Sequence, residues 1–208
     1  MADIIIVDYG AGNLRSVANA MRLLGHEPEV SNDPQHMVSA PIVILPGVGA
    51  ASSAMKELER LNLADALRYR AKQRLPLLGV CLGMQLLMSA SDEGGMTPCL
   101  NIIPGTVHKL PESGKVPHMG WNQVRQYHTH QIFDGTQNNT PYYFVHSYYI
   151  VPDEESVVMG QTEYGVEFCS ILVQNSVVAT QFHPEKSGAN GFKIYDNFIK
   201  MALGGCLC

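Results

Sequence analysis

Residues 77–85 read Leu77-Leu78-Gly79-Val80-Cys81-Leu82-Gly83-Met84-Gln85. A short apolar run ends in a cysteine set between two glycines, and a helix-forming run follows. This is the pattern of a buried strand that turns sharply into a helix with a nucleophile at the apex. Such an elbow presses the flanking backbone together and requires small neighbours. A helix that opens behind the sulfur also aims its first N–H groups at it, which suits an anionic nucleophile. The plain alternative is a buried structural cysteine, a common fate for a free thiol.

The segments around the elbow alternate in type. Ile4–Val7 is a continuous β-branched run, as expected of a strand covered on both faces. A turn-rich loop through Asn13 leads into a helix at 14–24, closed by Gly25. A short strand at 29–31 and a buried strand at 42–45 follow, the latter broken by Pro46-Gly47-Val48-Gly49. Helices near 50–61 and 64–74 precede the elbow. The order β-α-β-α-β-α predicts a parallel sheet with helices on both faces. Past residue 88 the pattern changes to short strands near 105–109, 122–125, 142–149, 157–162, 166–173 and 177–181. A hairpin at Gln174-Asn175-Ser176 joins the last two. A final helix spans 191–201, with Phe192, Tyr195, Phe198 and Ile199 on its apolar side. The reading is one α/β domain over 1–208, parallel first and antiparallel later. In such sheets ligands gather beyond the carboxyl ends of the strands. Asn13, the 46–49 loop and Cys81 all follow strand ends, so they should meet at one edge.

Bulk properties exclude several classes. The 208 residues are 46% apolar and 16% charged, which allows a substantial core. A net charge of −5 disfavours nucleic acid as a partner. No apolar run is long enough to span a membrane, and the N-terminus reads as a strand, without the features of a signal peptide. The five cysteines (Cys81, Cys99, Cys169, Cys206 and Cys208) have no framework spacing and fit a reducing, cytoplasmic setting. Cys206 and Cys208 fall in a tail read as a frayed end.

Cys81 needs a base. Among eight histidines, His183 stands out because it ends a strand and opens His183-Pro184-Glu185-Lys186-Ser187. Pro184 holds it extended, and Glu185 is close enough in the chain to orient the ring. A thiol, an imidazole and an orienting carboxylate follow triad logic. His128-Thr129-His130 offers two histidines on one side of a strand, but no third ligand accompanies them, so no metal site is expected. Gly10-Ala11-Gly12-Asn13 lacks the last glycine of a dinucleotide fingerprint, and no cofactor is expected. Leu82 N–H and an N–H from the Pro46–Gly49 loop are the obvious donors for an oxyanion.

Three segments together carry a resemblance: the elbow, Pro46-Gly47-Val48-Gly49, and His183-Pro184-Glu185-Lys186-Ser187. In order and separation they resemble the class I (triad) glutamine amidotransferases. Lys115-Val116-Pro117-His118-Met119-Gly120-Trp121-Asn122 and Tyr142-Tyr143-Phe144-Val145-His146-Ser147-Tyr148 narrow it to the glutaminase subunits of imidazole glycerol phosphate synthases. The resemblance implies a three-layer, flavodoxin-like α/β fold and hydrolysis of L-glutamine to glutamate and ammonia. It implies a glutamyl thioester on Cys81, with His183 and Glu185 handling protons. Leu82 and Val48 would form the oxyanion hole. Gly47, Gly49, Gln85, His146, Ser147 and Tyr148 would hold glutamine. It further implies a heterodimer with a (βα)8-barrel cyclase that consumes the ammonia in histidine biosynthesis. Asn13, Trp121, Asn122, Tyr143 and Lys186 would face that partner; read without the resemblance, they form a solvated rim with Trp121 in the core. The alternative is a paralogous amidotransferase that supplies a cyclase-like partner in cell-surface sugar biosynthesis.

Overall fold

The structure is a computed structural model that describes residues 3–10, 12–112 and 114–204. The Cys206 and Cys208 tail lies outside the described residues. Strand β1 (Ile4–Val7) is followed by α1 (Leu14–Leu23), β2 (Glu29–Ser31), α2 (Pro34–Ser39), β3 (Ile42–Gly47), α3 (Ala51–Arg60), α4 (Leu63–Lys72), β4 (Leu77–Cys81) and α5 (Leu82–Leu86). Strands then dominate: β5 (Ala90–Ser91), β6 (Thr97–Pro98), β7 (Gly105–Lys109), β8 (His118–Gln126), β9 (Thr140–His146), β10 (Tyr148–Pro152), β11 (Val158–Glu163), β12 (Glu167–Gln174) and β13 (Val177–Thr180). Helix α6 (Gly188–Leu203) ends the described chain.

The alternation of β1 sets the layers. Successive strand side chains point to opposite faces. Ile5 and Val7 therefore pack with Leu58, Leu67 and Met37 from α2–α4. Ile4 and Ile6 pack with Val17 and Met21 of α1 and with Phe198 of α6. The central strands run in the order β2-β1-β3-β4-β13, all parallel. The sheet continues antiparallel through β12, β10 and β7. A branch β11-β8-β9 leaves β12 and carries the β8–β9 ladder. The α/β class, the parallel centre and the later antiparallel strands agree with the sequence reading. Among the described residues no helix is long and apolar enough to cross a membrane.

Several local expectations need correction. The strand expected to break at Pro46 continues, because Pro46 and Gly47 still pair with Val80 and Cys81 of β4. Helix α2 was not foreseen; it is short and buries only Met37, so it shows no apolar stripe. The strand expected at 142–149 is two strands, broken at Ser147, with β9 pairing to β8 and β10 to β7. Helix α6 starts three residues earlier than expected. His128 and His130 lie beyond the end of β8, not on a strand. The His130 ring instead accepts a hydrogen bond from Ile132 N and caps a 3-10 turn at Gln131–Phe133.

Candidate active site

Cys81 ends β4 at φ 54° and ψ −109°. A non-glycine residue there carries backbone strain, and such strain clusters at functional sites. Gly83 is required sterically, and Gly79 relieves a tight contact. A Cβ on Gly83 would stand 1.8 Å from the Leu45 carbonyl oxygen, and one on Gly79 would stand 3.1 Å from the Gly83 carbonyl. The helix behind the elbow, α5, has only five residues. The Cys81 thiol points at the Val145 carbonyl oxygen, 3.8 Å away, and Gln181 Nε2 donates to the sulfur at 3.8 Å. The other described cysteines differ. Burial, with the Glu93 carboxylate adding to it, pushes the Cys99 thiol up to about 11, and burial pushes Cys169 higher still. Both are poor nucleophiles for that reason.

His183 follows β13, the strand that lies beside β4. Its Nδ1 is 2.7 Å from Glu185 Oε1, and the two side chains are 1% and 0% exposed. Glu185 also accepts from Asn13 Nδ2 and, at 3.0 Å, from the Tyr195 hydroxyl. Burial alone would depress the imidazolium; the Cys81 and Glu185 charges outweigh it and raise His183 to about 10. Burial opposes the Glu185 charge as well, but His183 and Asn13 hold that carboxyl below its ordinary range. His183 Nε2 is buried and makes no hydrogen bond in this resting geometry. It is the ring nitrogen left for Cys81 and for a proton in transit. The backbone is fixed as tightly: His183 N donates to the Tyr143 carbonyl at 2.9 Å, and Ser187 Oγ bridges Tyr143 N and His183 O.

A cavity of about 280 Å³ opens beside the sulfur. Among the residues lining it are Val48, Gly49, Leu82, Gln85, Ser147 and Tyr148. Its size suits one amino acid with room for water. Gln85 Nε2 is committed to Tyr148 O at 2.9 Å and Gln181 Oε1 at 3.2 Å, so its own Oε1 is what it can offer a ligand. Val48 and Gly49 form no hydrogen bond among the described residues, and Gly49 has φ +100°. Gly47 sits deeper: a Cβ there would lie 2.2 Å from the Tyr9 hydroxyl, which donates to the Pro46 carbonyl at 3.0 Å. His146 lines the same cavity but spends both ring nitrogens inside the protein, on Tyr148 O and on His118.

The residues expected on a partner face divide. Trp121 is 59% exposed, not a core residue, and it meets Tyr143 edge-to-face across the β8–β9 ladder. Lys186 Nζ lies 5.9 Å above the Tyr143 ring. These three form one surface, and the Tyr143 backbone is bonded to His183. Asn13 and Asn122 instead turn their carboxamides inward, Asn13 to Glu185 and Asn122 to His118 and the Glu163 carbonyl. Sequence reasoning missed Glu93, a half-buried carboxylate on the cavity wall. It also missed Gln181, and it assigned Tyr195 only to an apolar helix face. Nothing local to those residues signals their roles.

Residues 5–201 match the family described as Glutamine amidotransferase class-I. The chain is 49% identical over 201 residues to "Imidazole glycerol phosphate synthase subunit HisH" of Dehalococcoides mccartyi strain CBDB1, covering 97% of this chain and 98% of that protein. It is 51% identical over 198 residues to the protein of the same name from Moorella thermoacetica, covering 95% and 94%. Its fold is similar to a crystal structure of a glutamine amidotransferase, with TM-score 0.75 at 20% identity over 95% of this chain and 98% of that one. It also resembles the structure of PurLQS from Thermotoga maritima, with TM-score 0.73 at 16% identity over 96% and 99%.

Proposed function

The chain belongs to the class I glutamine amidotransferases, and on that premise we propose that it is the glutaminase subunit of an imidazole glycerol phosphate synthase. It would work as one unit over residues 1–208, in the reducing cytoplasm that cysteines without framework spacing fit. The observation that carries the chemistry is the strained Cys81 beside a His183–Glu185 pair held wholly out of water. In this reading Cys81 attacks the side-chain carboxamide of glutamine. His183 accepts the thiol proton and delivers it to departing ammonia. The same ring then activates the water that releases glutamate from the thioester. Glu185 holds the ring and its charge. Leu82 N–H and Val48 N–H donate to the oxyanion, and each such donor is worth ~2.7–4 kcal/mol in a transition state. The free Val48–Gly49 peptide suits a donor that is brought into place only when needed. Gln85 Oε1 and the Glu93 carboxylate offer acceptors for an α-ammonium group, while the backbone of Gly47, Gly49 and 146–148 frames the amino-acid end.

The partner in this reading is the (βα)8-barrel cyclase subunit, docked on the surface of Trp121, Tyr143 and Lys186. An exposed tryptophan beside a tyrosine is the residue type enriched at interface centres, and Lys186 adds a charge over the Tyr143 ring. The Tyr143 backbone ties this surface to His183, so a partner docked there would stand close to the point of ammonia release.

The test is a coupled assay of the chain with such a cyclase, glutamine and the ribulosyl substrate. Glutamine-dependent product should form, and Cys81→Ala should abolish it while leaving the ammonia-dependent rate intact. Equal glutamine turnover with and without saturating cyclase would refute a conditional site. Failure to support imidazole glycerol phosphate formation would refute the pathway assignment.

A further inference from the structure

Two buried histidines beside the site take no part in the proton transfers above. His118 on β8 is 3% exposed and His146 on β9 is 5% exposed. The two residues face each other across the β8–β9 ladder. His118 Nδ1 lies 3.0 Å from His146 Nε2. Their bonds allow only one proton arrangement. His146 Nδ1 is 2.9 Å from the Tyr148 carbonyl oxygen, which can only accept, so the proton sits on Nδ1. Its Nε2 is then an acceptor, and His118 must donate from Nδ1. His118 Nε2 is left to accept, and Asn122 Nδ2 supplies a donor at 3.3 Å. Asn122 is itself anchored: the same nitrogen donates to Glu163 O at 2.9 Å, and its Oδ1 accepts from Gln123 N at 2.8 Å. Burial favours the neutral form of both rings, lowering His118 to about 4 and His146 to about 3. Aromatic rings clamp His118, with Tyr164 stacked at 3.9 Å and Phe144 at 4.9 Å.

The row ends on the Tyr148 carbonyl, which also receives Gln85 Nε2 at 2.9 Å. That carbonyl belongs to the cavity wall at the break between β9 and β10. Backbone bonds reach this break, since Leu110 N donates to Ser147 O at 2.8 Å and Tyr148 pairs with Lys109 of β7, but the Tyr148 carbonyl that faces the pocket is held by the side chains of His146 and Gln85. We propose that Asn122, His118 and His146 form a one-way hydrogen-bonded strut that positions the Ser147–Tyr148 wall and Gln85, and so sets the affinity of the pocket for the amino-acid end of its substrate. These are positioning residues; none touches the reacting atoms. The strut begins on β8 at Asn122, next in the chain to Trp121 and on the other face of the strand, which ties pocket shape to the strand that carries the docking surface. The proposal rests on the glutaminase reading only for the identity of that substrate.

Two measurements test it. Long-range ¹H–¹⁵N correlation on the full chain labelled at histidine reads the tautomers directly. Both His118 and His146 should carry the proton on Nδ1, and an Nε2–H tautomer at either would overturn the strut. Kinetics with the cyclase present then separate bonding from packing. His118→Phe keeps a flat ring between Tyr164 and Phe144 but removes both nitrogens. His118→Asn keeps a donor near the Nδ1 position but loses the plate. Glutamine KM should rise about tenfold in His118→Phe with kcat changed less than about threefold, since the lost interaction is one of binding. His118→Asn should stay within about threefold of wild type in KM. The reverse order would show His118 to be only a stacked plate, and equal loss in both, or loss in neither, would also overturn the strut. If the wild-type chain hydrolyses no glutamine with any cyclase, the functional reading fails while the tautomers still decide the strut.

Discussion

Glu185→Gln separates charge from shape at the candidate site. Three donors converge on the carboxylate: Asn13 Nδ2, the His183 ring and the Tyr195 hydroxyl. In the amide, Oε1 can keep Asn13 and His183, and Nε2 can face Tyr195, whose hydroxyl rotates to accept. The fold therefore tolerates the change, and what disappears is the charge. His183 stands at about 10 against an ordinary 6.5. At about 1.4 kcal/mol per pH unit this bounds the stabilisation of the imidazolium at roughly 5 kcal/mol. Cys81 and Glu185 share it, so the substitution should cost roughly 2 kcal/mol, or about 4–8 °C in melting temperature for a chain of this size. The pH dependence has a definite sign. A group raised on folding stabilises fully below its ordinary value and loses that contribution as pH rises through the folded one. The His183 contribution is thus complete below 6.5 and lost towards 10. Glu185, held below its ordinary 4.5, contributes above that value and loses its share as pH falls through the depressed one. The melting gap between wild type and variant should be widest between 4.5 and 6.5 and narrow towards pH 10. Glutaminase kcat/KM with the cyclase present should fall about a hundredfold or more, because the base loses its orienting charge. A variant within about threefold of wild type at neutral pH, or a melting gap that does not change with pH, would refute the coupling.

Three other outcomes follow from contacts. Gly83→Ala drives a Cβ to 1.8 Å from the Leu45 carbonyl oxygen; overpacking of this kind costs about 1–3 kcal/mol. Because it separates β3 from the elbow, turnover should fall further than stability in parallel melts and kinetics. Gly191→Ala places a Cβ 1.9 Å from the Pro184 carbonyl oxygen. It should displace the turn that carries Glu185 and lower kcat while α6 stays helical by circular dichroism. Arg70 is fully buried and donates to the carbonyls of Pro76, Met37, Ala40 and Pro41 at 2.7–2.9 Å. Arg70→Met strands those acceptors and should cost at least about 3 kcal/mol in urea unfolding, with Arg70→Lys intermediate.

What was legible in the sequence had short-range causes. The β-branched run of β1, the glycine-flanked Cys81 and the His183-Pro184-Glu185 turn each state their geometry within a few residues. Helix α2 was missed because its signal is polar: Asp33 caps it through Gln35 N, and Pro34 occupies its first turn. That is a strong helix start, but one buried Met37 is too little for a periodicity search. The inward turn of Asn13 was beyond local reading, since its partners lie 170 and 172 positions away. Trp121 shows the limit of hydrophobicity as a guide, because an exposed aromatic violates no rule. Tyr195 fits an apolar stripe and a hydrogen-bonded role equally well, and only the approach of α6 to Glu185 separates them.

The site is assembled as much by missing side chains as by those present. Gly47, Gly83 and Gly191 each lie where an element carrying a functional residue meets a neighbour: the Val48 loop against Tyr9, the Cys81 elbow against β3, and α6 against the His183–Glu185 turn. Each approach is closer than a Cβ would allow. The parallel centre brings β3, β4 and β13 side by side, so their carboxyl ends deliver the Val48 peptide, the Cys81 sulfur and the His183 ring to one edge. Close backbone contact then removes the slack between them. The strut through His118 does similar work on the antiparallel side, where the Tyr148 carbonyl turns from the β7 ladder to the His146 and Gln85 side chains. The two halves of the sheet thus fix the pocket by different means. The parallel half brings the reacting groups together through close backbone contact, with His183 and Glu185 further tied by hydrogen bonds, and the antiparallel half holds the binding wall through the bonds of the strut. Perturbing the first should act mainly on kcat, and perturbing the second mainly on KM.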